Sequence, residues 1–169
     1  MAPIRIVFKE YYTGERLRNA VLHLVQAASD MGIGNLGRTK LVKLMFLADH
    51  ASLNQQKRTI SGVEYTYHNY GPFASEILQA LDDMAGHEIL EETRGLVTEK
   101  EKHLAYHYLP GDPPRWSSQL AREDSEIIEQ ILSQFGSWPL SRLLNYVYDM
   151  ELMQDKEPLD VVLSGDDAV

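Results

Sequence analysis

The chain contains no cysteine in its 169 residues. That absence removes disulfides, thiolate zinc ligands and cysteine nucleophiles together, and it fits a reducing compartment. Long apolar runs are missing too. No segment approaches the roughly 18 apolar residues that a membrane span requires, and the apolar run within Met1–Glu10 is too short for a signal-peptide core. A soluble, cytoplasmic protein is expected, with no membrane partner.

Catalytic signatures are equally sparse. The glycine-rich stretch Met31–Gly37 is followed by Arg-Thr-Lys instead of Gly-Lys-Ser/Thr, so it reads as a helix-to-helix connection and not as a phosphate-binding loop. Ser61, Ser137 and Ser164 each neighbour a glycine, but none sits in a Gly-x-Ser-x-Gly elbow. Among the histidines, His103 and His107 are four apart, in a stretch that reads as a strand, where that spacing suits joint ligation less than it does on a helix. These patterns lead us to expect no catalytic residue, no metal site and no cofactor.

What is present is a 44% hydrophobic composition, enough for one globular domain with a sizeable core. We place that domain at residues 1–154 and an acidic, flexible tail at 155–169. Charge is uneven. Residues 1–60 hold nine Lys/Arg against four Asp/Glu, whereas 61–169 hold seven against 21, giving the net −9. A basic first third could meet an acidic partner, while the acidic remainder disfavours nucleic acid; surface solvation explains the same charges more simply.

Apolar residues at helical spacing predict a helix from Thr13 or Gly14 through Met31. A second helix follows from Thr39, its N-cap, to Asn54, apolar all round at Leu44–Ala48 as a central helix should be. Val63, Tyr65 and Tyr67 alternate with polar residues as in a half-buried strand. Pro72 is expected to open a helix carrying Ile77, Leu81 and Met84, closed by Gly86. Residues 87–110 read as a hairpin, with a turn around Thr93–Gly95 and a charged tip at Glu99–Lys102. Two helices come last, from Glu123 and from Ser137, separated by Gly136. The expected fold class is α+β: mostly a helical bundle around a central apolar helix, with a small antiparallel sheet joining Val63–Asn69 to the hairpin.

Asp49 lies on the apolar face with Val42, Met45 and Phe46, so it needs donors such as a tyrosine hydroxyl or backbone N–H groups, or else a place at a pocket rim. Lys43 and His50 share a different face, which is expected to be solvated, with Lys43 more exposed than Leu44 and Leu47. Tyr65, Tyr67, Tyr70, Tyr106 and Tyr108 suit either an interface or a tyrosine-rich core layer. The candidate partner-binding residues are Lys43, Asp49, Tyr67, Tyr70, Gly71 and Pro72.

The segment Leu41–His50, the stretch Thr59–Tyr65 and the corner Tyr70-Gly-Pro-Phe73 together resemble the core of the Panacea domain, the SocA-like antitoxin module of toxin-antitoxin systems. Phe73 replaces the usual small aliphatic residue, and Tyr148 stands where the family carries a histidine. The resemblance implies an antitoxin that binds and neutralises a cognate toxin, in at least one branch as an adaptor handing the toxin to a AAA+ protease. Two other readings remain: a winged-helix transcription regulator binding DNA, and an enzyme built on a small-molecule pocket at Asp49.

Overall fold

A computed structural model describes residues 12–34, 36–69, 71–96, 104–111 and 118–164. In chain order these form α1 (Tyr12–Asp30), α2 (Arg38–Gln56), β1 (Tyr65–His68), β2 (Gly71–Phe73), α3 (Ser75–Gly86), β3 (Leu90–Leu96), β4 (Leu104–Pro110), α4 (Arg122–Phe135), α5 (Leu140–Tyr148), a 3₁₀ turn at Glu151–Met153 and β5 (Val161–Leu163). The class is the expected one, α+β and mostly helical.

Helix α2 is the centre because its sequence offers no polar stripe. Every residue from Lys40 to Asp49 is buried. Helices α3, α4 and α5 and strand β2 pack against it, α1 packs on α3 and α4 in the same core, and each helix presents one apolar face. Leu17, Ala20, Val21, Leu24 and Ala28 do this for α1, and Ile127, Ile128, Ile131 and Phe135 for α4. Gly37, not Thr39, is the N-cap of α2, and Lys57 ends the helix in the left-handed region at φ 64°, its N–H returning to the Leu53 carbonyl at 3.1 Å.

The strands differ from expectation. Instead of one sheet, two form: β2-β1-β5, and a separate β3-β4 ribbon. Gly71–Phe73 is itself a strand, registered Thr66↔Phe73 and His68↔Gly71, and α3 starts only at Ser75. Pro72 is tolerated there because β2 is an edge, where a missing N–H removes no ladder bond. The ribbon runs unbroken from Leu90↔Pro110 to Leu96↔Leu104, so no turn interrupts Thr93–Gly95. The proposed charged tip at Glu99–Lys102 lies outside the described residues.

Of the stretch anticipated as a loose tail, the described residues 155–164 include a strand. Val161–Leu163 adds the third strand beside β1, with Val162 and Leu163 buried. Two backbone bonds fasten its approach: Tyr67 N–H to the Asp160 carbonyl and Leu159 N–H to the Tyr67 carbonyl, both 2.8 Å.

Candidate partner-binding site

Two charged residues of α2 organise the residues that the sequence singles out. Asp49 is fully buried and accepts four hydrogen bonds: from the backbone N–H of Ile60 (2.7 Å) and Ser61 (2.9 Å), from Ser61 Oγ (2.5 Å) and from the Tyr65 hydroxyl (2.7 Å). The connection from α2 to β1 is thereby gathered onto one carboxylate. One turn later, Ser52 Oγ donates to the Arg58 carbonyl at 2.6 Å and fixes the start of the same connection. Burial pushes the Asp49 carboxyl above its ordinary range, against the opposing pull of these donors. Tyr65, whose hydroxyl is buried beside that carboxylate, is held well above the usual tyrosine range by desolvation and by Asp49 itself. Its ring meets Phe46 edge-on at 5.2 Å.

Lys43 corrects the exposure expected of it. It is 1% exposed, against 0% for Leu44 and 4% for Leu47, and its Nζ donates to the Pro72 carbonyl at 2.6 Å. Loss of water lowers its pKa to about 8. The helical wheel separates Lys43 from the apolar face, yet strand β2 covers that side of α2 and supplies the acceptor. His50, one turn beyond Phe46, is half-buried and stacks on that ring at 6.1 Å.

Gly71 takes φ 88°, a left-handed conformation that glycine adopts without a Cβ penalty. Tyr148 lies against it, and the Tyr148 hydroxyl donates to the Asn69 carbonyl. The corner is therefore held from below by Lys43 and from the side by Tyr148. Tyr67 is half-buried on β1, and Pro72 is buried. Tyr70 lies outside the described residues. Tyr108 belongs to the core, with its hydroxyl on Glu92 at 2.9 Å across the β3-β4 ribbon.

Sequence reasoning missed an aromatic corner between α4 and α5. Phe135 forms its buried floor; Trp138 and Tyr146 each stand 4.8 Å from that ring and 5.6 Å from one another. The Arg142 guanidinium sits 3.8 Å above the Trp138 ring. Trp138 and Arg142 are four residues apart, a legible spacing on a helix, but α5 begins only at Leu140 and the pairing depends on the turn before it.

The central helix, the pinned corner and the α5 tyrosine together define a small α+β domain whose polar interior holds the fold in shape. A family model described as antitoxin SocA-like, Panacea domain, matches residues 41–152. The chain belongs to that family. No curated protein and no solved structure matches it.

Proposed function

We propose that this protein is an antitoxin that neutralises a cognate toxin by binding it directly in the cytoplasm. The observation that carries the reading is family membership over residues 41–152. The site chemistry agrees with it. Asp49 and Lys43, the buried charges that could anchor a small-molecule pocket, are each committed to backbone or side-chain partners within the fold. The same commitment supports a non-enzymatic reading. Three arginines that a DNA-binding reading would use are engaged within the fold: Arg18 with Asp83, Arg38 with Asp82, and Arg58 with Asp124.

Co-expression with the product of the adjacent toxin gene should restore growth. The two proteins should co-purify as a complex burying about 1,200–2,000 Å² in total, the usual range for a stable interface. Operator binding without any protein partner would replace this reading with the regulator. An adaptor that presents the toxin to a AAA+ protease uses the same binding act. The two routes separate by toxin abundance, which stays constant under sequestration and falls in a protease-dependent way under delivery.

A further inference from the structure

Leu159 combines two features that a folded chain ordinarily avoids. It takes φ 71°, a left-handed conformation that is costly for a residue with a Cβ, and it is 69% exposed. The conformation is built in. The Leu159 N–H donates to the Tyr67 carbonyl and the Tyr67 N–H donates to the Asp160 carbonyl, both at 2.8 Å. The Asp160 N–H returns to the Glu157 carbonyl at 3.0 Å, and the Glu157 N–H donates to the Asp160 carboxylate at 2.9 Å. The turn at 157–160 is thus closed on itself and fastened to β1, between buried Met153 on one side and buried Val162 and Leu163 on the other. A side chain that fills no core position and suits its backbone poorly has its use outside the monomer.

Its surroundings define what it can meet. Val161, two residues on, is 47% exposed and begins β5. Strand β5 ends the β2-β1-β5 sheet, and among the described residues no strand pairs with its outer edge. An uncovered edge offers backbone N–H and C=O groups to an incoming strand. Asp155, Glu157 and Asp160 are exposed beside it, and none of the three forms an ion pair with a described residue. Glu64, next to the Tyr65 that pairs with Leu163, adds an exposed carboxylate at the other end of β5. The single cation of the stretch 155–164 is Lys156, which is half-buried.

We propose that this edge docks the partner toxin, and that the docking segment is a basic, extended one that adds to β5 as a further strand. Its apolar side chains cover Leu159 and Val161, and its Lys or Arg side chains meet Asp155, Glu157 and Asp160. This rests on the antitoxin reading above. Charge complementarity selects the occupant: a second copy joined edge to edge would set these carboxylates against their own kind, and a nucleic-acid backbone would be repelled by them.

The test titrates the purified product of the adjacent toxin gene against the full chain and its variants, each checked for folding by circular dichroism and urea unfolding. Glycine adopts φ 71° freely, so Leu159→Gly removes the exposed side chain without straining the turn. Its stability should hold while toxin affinity falls about 5- to 30-fold, as truncation of an interface anchor does. Val161→Lys should weaken binding likewise, because a lysine blunts an edge strand and repels a basic segment. The double change Asp155→Asn with Glu157→Gln should slow association, with less effect at high salt. Amide exchange across Val161–Leu163 should slow when the toxin binds. The exposed control Glu76→Lys on α3 should stay within about twofold of the starting affinity. Binding by the wild type with unchanged affinity in all the edge variants overturns the surface and leaves the antitoxin reading standing. Failure of the wild type both to bind the toxin and to rescue growth overturns both. A wild-type dimer that Val161→Lys dissolves overturns the proposal by assigning the edge to a second copy.

Discussion

The Lys43 ammonium reaches the carbonyl of Pro72 at 2.6 Å from inside the core, so a charge on the central helix holds the corner that ends the β1-β2 hairpin. Twenty-nine positions separate the two residues, and neither is readable as the other's partner along the chain. A buried cation is costly to desolvate, and one carbonyl returns only part of its lost hydration. The corner is held at a cost that depends on protonation.

The pH dependence of that cost has a definite sign. Folded Lys43 releases its proton near 8, whereas an unfolded lysine retains it up to about 10.5. Between those values the unfolded chain binds more protons, so rising pH favours the folded state. The unfolding free energy of the wild type relative to Lys43→Met should rise by up to about 3 kcal/mol across this window. Urea titrations of both proteins at pH 7, 8, 9 and 10.5 measure it; a constant difference would show that Lys43 titrates in the fold as it does in water.

Asp49→Ala should be more damaging than its size suggests. It leaves the N–H groups of Ile60 and Ser61 and the Tyr65 hydroxyl without their acceptor in a dry interior. A loss of about 3–5 kcal/mol is expected in urea unfolding. Tyr65→Phe removes one of those donors and should cost about 1–2 kcal/mol. Because the folded carboxyl titrates above its ordinary range, Asp49 favours the fold more as pH falls through that raised value, and the Asp49→Ala difference should widen in mild acid.

At the corner, conformation matters more than space. A Cβ on Gly71 would find Tyr148 Cε1 at 3.7 Å, an ordinary contact, but φ 88° remains a strained conformation for an L side chain. Gly71→Val should therefore cost about 1–3 kcal/mol, while the exposed change Glu76→Lys should cost less than about 0.5 kcal/mol. Thermal unfolding of the two variants compares them directly, and equal stability would remove the argument from backbone strain.

Gly111 presents the opposite case. Its φ calls for no glycine, but a Cβ would stand 2.4 Å from the Glu88 carbonyl oxygen, which is backbone at the entry to β3. Gly111→Ala must push that strand entry away. It should break the bond from Gly111 N–H to the Ile89 carbonyl, now 2.9 Å, with a stability loss of about 1–3 kcal/mol. Faster amide exchange at Gly111 would report the broken bond.

Leu47→Ala tests the central helix itself. Leu47 is 4% exposed within α2, and its truncation should cost about 2–5 kcal/mol. A shift below about 0.5 kcal/mol in urea unfolding would be too small for a core leucine.

Helices were the legible part of this fold because their information is local. The 3.6-residue period of α1 and α4 and the uniformly apolar stretch Leu44–Ala48 mark buried faces without reference to distant residues. The need of Asp49 for a tyrosine hydroxyl and backbone N–H donors was legible too, from the cost of burying a bare carboxylate, and the fold supplies both kinds. Pro72 was misread as a helix start because its fixed φ suits a first helical turn and an edge strand alike.

By itself, the sequence determined which stretches bury an apolar face, the α+β class they build, and the family signature in Leu41–His50 and Gly71-Pro72. Tertiary structure alone decided the direction of the polar groups. Lys43 faces inward because β2 covers it; Arg18, Arg38 and Arg58 are held at or near the surface by carboxylates that are distant along the chain. Val161–Leu163 becomes a strand because β1 offers an open edge. The physical reason is range: periodicity records how a residue relates to its neighbours in sequence, whereas the free energy of a charge or an edge strand depends on partners brought close only by folding.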